Sequence, residues 1–119
     1  MNTGDYSQLL NACDEMDKVV QEMERSKTSY GLACAIVEFS PDQKRAALAR
    51  AMLPFLNAGD TATAADAKAR ASEPYATAMA RLRKDYAAAE ETRAQYFALK
   101  ARWETARSRA SAEKAMVSL

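Results

Sequence analysis

The sequence predicts an all-α protein in which two long antiparallel helices form a hairpin, with a short third helix between them. Alanine supplies 27 of the 119 residues, against three glycines and three prolines, a composition that favours helix over sheet. Positions near the N-terminus also form a ladder with alternating spacings of three and four residues: Tyr6, Leu9, Cys13, Met16, Val20, Met23, Lys27, Tyr30, Cys34 and Val37. All but Lys27 are apolar or aromatic, as a helix packed lengthwise on another helix requires.

The first element is a long helix, which we expect over about residues 6–39 of one helical domain spanning residues 1–119. Asp5 followed by Gln8 is typical of a capping box, which would start this helix near Tyr6. Gly31 interrupts the ladder. The sequence leaves open whether this glycine only weakens the helix or allows another helix to come close.

Both cysteines lie on this ladder, so we expect buried, reduced thiols. Cys13 and Cys34 would be about 31 Å apart along one helix, which is too far for an intrachain disulfide. The alternatives are a disulfide between chains or a metal site completed by another chain. The chain contains no histidine, and two cysteines alone make poor zinc ligation.

The second element is a short helix that we expect over about residues 41–56. The segment Ser40-Pro41-Asp42-Gln43 combines a capping serine, a proline suited to the first turn and an acid that suits the helix dipole. Pro54 should end or kink this helix near Leu53, because proline inside a helix removes a hydrogen bond and clashes with the preceding turn. Residues 57–62 then form a turn.

The third element is a long helix over about residues 63–113, with Thr63 and Asp66 as its cap. Pro74 should kink or break it, since the residue before a proline is pushed away from helical geometry. The apolar seam predicted after that point is Tyr75, Met79, Leu82, Tyr86 and Ala89, followed by Thr92, Tyr96, Leu99, Trp103, Ala106 and Ala110. The step from residue 89 to residue 92 predicts a local shift of phase.

Charge is divided unequally along the chain. Residues 1–42 contain eight acids and three bases, whereas residues 43–119 contain eight acids and 14 bases. These complementary charges can pair within one hairpin or between chains. Because long heptad seams frequently associate, we expect a homo-oligomer.

Several function classes receive no support from the sequence. Without histidine the usual catalytic triads and zinc-hydrolase motifs are missing, and the isolated glycines form no phosphate-binding loop. Acids such as Asp14, Glu15 and Glu22 lie mainly outside the seam, where a solvated face is expected. We therefore expect no enzyme, no catalytic residue, no cofactor, no metal and no small-molecule substrate. Without a membrane segment or signal peptide, a cytoplasmic location is expected.

The last helix carries basic residues at heptad spacing. Arg93, Lys100, Arg107 and Lys114 recur every seven residues, and Arg102 with Arg109 forms a second pair seven apart. One interpretation is that this stripe follows a nucleic-acid backbone while neighbouring aromatic side chains stack on bases. The other is that these residues flank the seam and pair with the acidic first helix.

Tyr96, Phe97 and Trp103 are the candidate residues for binding a partner protein. Trp103 lies on the predicted seam, either as its largest core residue or as an exposed contact, because tryptophan and arginine are enriched at interface hot spots. Phe97 lies beside the seam, where one helix–helix contact would not cover it. A second packing partner is therefore expected: the short helix, another subunit or a target protein.

The closing stretch Arg102-Trp103-Glu104-Thr105-Ala106-Arg107-Ser108-Arg109, continued by Ala112-Glu113-Lys114, resembles the ends of small all-helical accessory proteins of unknown role that bacteriophages encode near recombination genes. The resemblance extends over the last 50 residues or so, from Ser72-Glu73-Pro74-Tyr75 onward. It implies a phage accessory protein without enzymatic activity that acts in the cytoplasm of a bacterial host.

Together these observations lead to three hypotheses. The first is a non-enzymatic protein that binds another macromolecule through a helical surface, as an accessory or inhibitor of a host or recombination complex. The second is direct DNA or RNA binding along the basic stripe. The third is a structural coiled-coil subunit of a larger assembly.

Overall fold

The structure, a computed structural model, describes the backbone of residues 3–117 and the side chains of residues 6–117. It contains α1 (Thr3–Asn57), α2 (Ala62–Arg70) and α3 (Glu73–Val117), and no strand occurs between residues 3 and 117. The predicted all-α class, with two long helices and a short one between them, is confirmed. The short helix is α2, however, and not the segment 41–56.

The first two predicted helices are one continuous helix, so the predicted break between residues 39 and 41 is wrong. α1 starts at Thr3, before the expected Tyr6, and contains both Pro41 and Pro54. The proposed cap by Asp5 falls on a side chain outside the described residues. Ala33, Ser40 and Ala47 are buried at seven-residue intervals on both sides of Pro41. Burial of this face offsets the hydrogen bond lost at the proline, and the local start signal is overridden.

α1 ends in a Schellman motif. The amide of Asp60 donates to the carbonyl of Phe55 (3.1 Å), and that of Gly59 to the carbonyl of Leu56 (3.0 Å). Gly59 has φ 98°, the left-handed conformation that this motif needs and that glycine adopts without strain. The predicted turn over residues 57–62 is therefore present, but Pro54 neither ends nor breaks the helix at Leu53.

α2 is capped by Thr61, whose hydroxyl oxygen accepts a hydrogen bond from the amide of Ala64 at 3.2 Å. The prediction that Thr63 caps this helix is wrong by two residues, because Gly59 already completes the turn and leaves Thr61 in extended conformation at the cap position.

The chain breaks near Pro74 instead of only bending there, so residues 63–113 do not form one helix. The turn at Ala71 and Ser72 separates α2 from α3, and the Ser72 hydroxyl donates to the carbonyl of Ala69 at 2.6 Å. Pro74 is the second residue of α3. In that first turn its missing N–H removes no intrahelical bond, which explains why a new helix begins here.

The helices form two compact units. The terminal unit comprises Met1–Gly31 with Thr92–Leu119, and the central unit comprises Leu32–Glu91. In the terminal unit, Tyr30 contacts Tyr96 while Glu15, earlier in the chain, pairs with Arg102, so α1 and α3 run antiparallel. In the central unit, α1 and α3 enclose Ala47 and Ala89, and α2 buries Ala65 and Ala69.

One side of the predicted α1 ladder is displaced by one residue. The buried positions Ala12, Val19, Ala33, Ser40 and Ala47 share one seven-residue series, whose remaining position, Ser26, is half-buried. The predicted positions Cys13, Val20 and Lys27 are exposed, and Cys34 is half-buried. The expectation of a buried Cys13 is therefore wrong. Small side chains let the helices approach closely, so the helix turns its smaller residues inward.

The buried side of α3 keeps an unbroken seven-residue interval through Tyr75, Leu82, Ala89, Tyr96, Trp103 and Ala110, each buried or half-buried. Tyr86, which the predicted seam required, is exposed. The other predicted positions, Met79 before the phase shift and Thr92, Leu99 and Ala106 after it, are half-buried or buried.

Candidate interaction surface

Aromatic side chains cluster where α1 and α3 meet in the terminal unit. The rings of Tyr30 and Tyr96 stack with centroids 4.1 Å apart and an angle of 18° between their planes. Phe97 meets the Tyr30 ring edge-on, with centroids 5.9 Å apart, yet 48% of Phe97 stays exposed. Tyr96 therefore packs one face of its ring on Tyr30 and is half-buried, whereas Phe97 presents much of its ring to solvent.

A groove of about 370 Å³ lies beside this cluster and is called here the Trp103 groove. Its lining comes from both helices of the terminal unit: Val20, Met23, Glu24, Lys27, Tyr96, Lys100 and Trp103. The floor is apolar and aromatic, and three charged side chains form its rim. The groove thus combines an apolar floor with a charged rim.

A cation also lies over the tryptophan. The guanidinium carbon of Arg107 is 5.4 Å from the centroid of the Trp103 ring, within the range of a cation–π interaction. Trp103 itself is half-buried. It therefore contributes both to the packing of the two helices and to the surface of the groove.

Arg102 of α3 forms ion pairs with α1 within the terminal unit. Its guanidinium bonds Glu15 at 3.0 Å and Glu22 at 3.3 Å, both on α1. The hydrogen bond from Arg102 lowers the pKa of Glu15 below its usual value, and the charges of Arg102, Lys18 and Arg109 add to that effect. The same pairing raises the pKa of Arg102. This arginine thus behaves as a flanking heptad residue that holds α1 against α3.

The other predicted basic residues occupy different surroundings. Lys100, Arg107, Arg109 and Lys114 are exposed, and Arg93 is half-buried. Lys100 lines the Trp103 groove, whereas Arg109 lines a second groove, on the side of Glu15 and Arg102. Because Glu15 and Val20 lie on opposite sides of the buried Val19 position, the second predicted pair, Arg102 and Arg109, lies at a different edge of the helix pair from Lys100.

The three residues predicted to bind a partner, Tyr96, Phe97 and Trp103, lie in one region of the structure. Other residues that were not predicted as binding residues line the same groove. Val20, Met23 and Lys27 were predicted as the seam of α1 but form one wall of the groove, and Glu24 was not predicted at all. In the sequence, Lys27 was the residue that could have indicated this wall of the groove. A single lysine in an otherwise apolar ladder indicates that this side of the helix meets solvent.

Two kinds of feature are absent from the described part of the chain. Among residues 6–117, no group of three or more cysteine, aspartate or glutamate side chains is arranged to hold a metal ion. Over residues 3–117, none of the helices has a stretch long and apolar enough to cross a membrane. Comparisons with protein families, curated proteins and solved structures give no match to this chain.

Proposed function

We propose that this protein is a non-enzymatic binding protein whose Trp103 groove receives an acidic amphipathic helix of another protein. The observation that supports this proposal is the open groove itself, with Tyr96 and Trp103 in its floor and lysines on its rim. Phe97 extends the apolar surface next to Tyr30. A helix with apolar residues on one face can fill such a groove without any rearrangement of α1 or α3.

The charge of the groove indicates the chemistry of the partner. Lys27 and Lys100 stand on the rim and Arg107 lies over Trp103, against the single acid Glu24. A partner helix with acidic residues flanking its apolar face therefore meets complementary charge, which speeds association and excludes basic partners. Tryptophan, tyrosine and arginine are also the side chains that most often dominate binding energy.

The partner's setting follows from the resemblance of the last 50 residues or so to phage accessory proteins. We extend the proposal accordingly: the protein acts as an accessory or inhibitor of a host or recombination complex in the bacterial cytoplasm. The groove offers apolar contacts to such a complex and no catalytic chemistry.

Direct nucleic-acid binding is the second candidate, because Lys100 and Arg107 lie beside the half-buried ring of Trp103. Two observations weigh against it. Arg102 is already paired with Glu15 and Glu22, and Arg102 and Arg109 lie at a different edge of the helix pair from Lys100. A phosphate backbone would therefore meet a shorter run of cations than the sequence predicts.

Fluorescence anisotropy of three labelled probes tests both candidates. The probes are an acidic amphipathic helical peptide, its counterpart with lysine in place of glutamate, and single-stranded or duplex DNA, each at low and moderate salt. We expect the acidic peptide to bind more tightly than the basic one. Lys100→Glu combined with Arg107→Glu should weaken this binding at least about tenfold, the effect of losing about 1.4 kcal/mol.

The matched control reverses two exposed charges of the central unit, Arg83→Glu with Lys84→Glu, and should leave peptide binding unchanged. Circular dichroism checks that helix content survives in both variants. Salt-sensitive binding of DNA with none of the acidic peptide would replace the proposal with the nucleic-acid alternative. Equal binding of both peptides would contradict the charge preference, and binding of no probe would contradict the groove as well.

A further inference from the structure

A second apolar face lies on α1 in the central unit, where the sequence ladder did not extend. Its positions alternate in spacing between three and four residues: Leu32, Ala35, Phe39, Asp42, Ala46, Ala49, Leu53 and Leu56. We call these eight positions the heptad face. They span about 36 Å of helix at 1.5 Å per residue.

Six of the eight positions of the heptad face are exposed, and Ala35 and Ala46 are half-buried. Leu32 is 63% exposed, Phe39 52%, Leu53 53% and Leu56 39%. Large apolar side chains at this exposure are common singly, but here two pairs of them, Leu32 with Phe39 and Leu53 with Leu56, lie on one side of α1, which favours an interaction surface.

Neither neighbouring helix of the central unit covers this face. The positions of α1 buried against them include Ser40, Ala47 and Ala51, which lie on the other side of the helix. α2 meets α1 near Phe55, where the Lys68 ammonium lies 6.0 Å from the ring centroid. α3 only borders the face, at a groove where Leu82 lies near Phe39. The spacing of the heptad face is therefore suited to packing against one more helix.

We propose that the occupant is the heptad face of a second copy of this chain, bound antiparallel. The spacing is self-complementary in that orientation. If Leu32 of one copy lies opposite Leu56 of the other, the same register places Leu53 opposite Ala35 and Phe39 opposite Ala49. Each large side chain except the terminal leucines then meets an alanine, which allows the two helices to interdigitate without overpacking.

Charge at the middle of the face favours both the second copy and the orientation. Asp42 and Arg45 of one chain form an exposed pair at 3.3 Å. In the antiparallel register the twofold axis passes near residue 44, so Asp42 of each copy lies beside Arg45 of the other. A parallel pair would instead place the two Asp42 carboxylates opposite each other, which is unfavourable.

The proposed dimer is independent of the Trp103 groove, because the heptad face lies entirely in the central unit and the groove in the terminal unit. It would make the binding protein bivalent, with one groove in each copy. A partner carrying two acidic helices would then gain affinity from the second attachment.

Sedimentation velocity of the full chain, over a range of micromolar concentrations, tests the dimer. We expect a monomer–dimer equilibrium. Phe39→Glu and Leu53→Glu should each weaken it about 30-fold, the effect of removing an interface hot spot, and the double variant should be monomeric. Glutamate is a good helix former, so helix content should remain.

The matched control is Leu10→Glu, which changes an equally exposed leucine (62%) of α1 outside the heptad face. This variant should still dimerise like the unmodified chain. A monomer at every concentration would overturn the proposal. So would a dimer that survives the Phe39→Glu, Leu53→Glu double variant or is lost in Leu10→Glu, because either result places the interface elsewhere.

A charge exchange tests the orientation. Asp42→Arg alone should weaken the dimer at least about tenfold, because it brings positive charges together across the interface. Adding Arg45→Asp should restore it, since each copy again offers opposite charges in the antiparallel register. In a parallel dimer the two introduced arginines would still face each other, so failure of the double exchange to restore dimerisation would overturn the antiparallel arrangement.

Discussion

The terminal and central units use the same two helices and both bury alanine, but they differ in the contacts that surround this core. In the terminal unit a stacked tyrosine pair and the Arg102 ion pairs join α1 to α3. In the central unit the buried apolar residues are all alanines: Ala33, Ala47, Ala51, Ala65, Ala69 and Ala89. The terminal unit also buries small residues, Ala12, Val19 and Ala106, so aromatic packing and charge pairing are added there to a core of the same kind.

This difference follows from the number of helices in each unit. Each alanine buries little apolar surface. When three helices pack closely, however, their small side chains and backbones still make many van der Waals contacts and exclude water. Among the residues that the structure describes, only two helices meet in the terminal unit, and no third helix covers their seam. Large rings must therefore supply the contact area, and their open sides produce the Trp103 groove.

The largest expected effect comes from enlarging the alanine core. Ala69→Leu places a bulky side chain at a position with no exposed surface, so α2 must move away from its neighbours. We expect the free energy of unfolding to fall by about 3 kcal/mol, the upper range for overpacking. Urea denaturation followed by circular dichroism measures it. Ala67→Leu, at an exposed position of the same helix, is the control and should change stability little.

Next in size is the loss of the aromatic stack. Tyr96→Ala removes the ring that lies 4.1 Å from Tyr30, and should lower the free energy of unfolding by about 2 kcal/mol, less than for a fully buried ring because Tyr96 is half-buried. Tyr96→Phe keeps the ring and should remain close to the unmodified chain. An equal loss in both variants would mean that the hydroxyl, not the stack, stabilises the terminal unit.

Gly31 offers a gain of stability in the terminal unit. A Cβ atom built there would meet nothing within 4 Å, which decides between the two sequence-based alternatives: this glycine permits no close contact. Gly31→Ala should therefore raise the free energy of unfolding by about 1 kcal/mol. Gly59→Ala should have the opposite sign, because φ there is 98°. Thermal unfolding of the two variants compares them directly.

The smallest expected effect is on pH dependence, because the ion pairs of Glu15 are largely open to water. The folded state lowers the pKa of Glu15 below its usual value of 4.5. The folded chain therefore binds a proton at the Glu15 carboxylate less readily than the unfolded chain does. The resulting stabilisation is present above pH 4.5 and is lost as the pH falls through the lowered pKa.

Glu15→Gln should therefore reduce the loss of stability on acidification below pH 4.5. Urea denaturation across that range measures the slope. Arg102→Gln should flatten it similarly, because it removes the main hydrogen-bond donor to Glu15. An unchanged slope in both variants would show that the Arg102 pairing does not stabilise the terminal unit.

Sequence patterns predicted features that depend on local chemistry. The segment around Gly59 was predicted as a turn, Pro74 marked a discontinuity, and the acidic start of the chain indicated a partner for the basic end, as the Arg102 bonds show. The sequence-based predictions were wrong where a local helix signal competed with burial of a helix face. Ser40 and Pro41 look locally like the start of a helix, but burial on both sides of them keeps α1 continuous.

The candidate surfaces were predicted only in part. Tyr96, Phe97 and Trp103 were identified from residue type and spacing, and they do lie in or beside the Trp103 groove. The opposite wall was assigned to the core, because hydrophobic periodicity shows which residues share a helix face but not which side of a broad apolar face another helix will cover. The rotation of α1 by one position decided that Val20 faces outward and Val19 inward.

By itself the sequence determined the helical class, the antiparallel partners and the charge that links them, because alanine content, heptad spacing and charge distribution act along the chain. Only the tertiary structure decided which stripe of each helix is buried, whether α1 passes through Pro41 and which basic residues pair with acids. Those outcomes depend on competition between faces for the same neighbour, and close packing favours the small residues that let helices come nearest to each other.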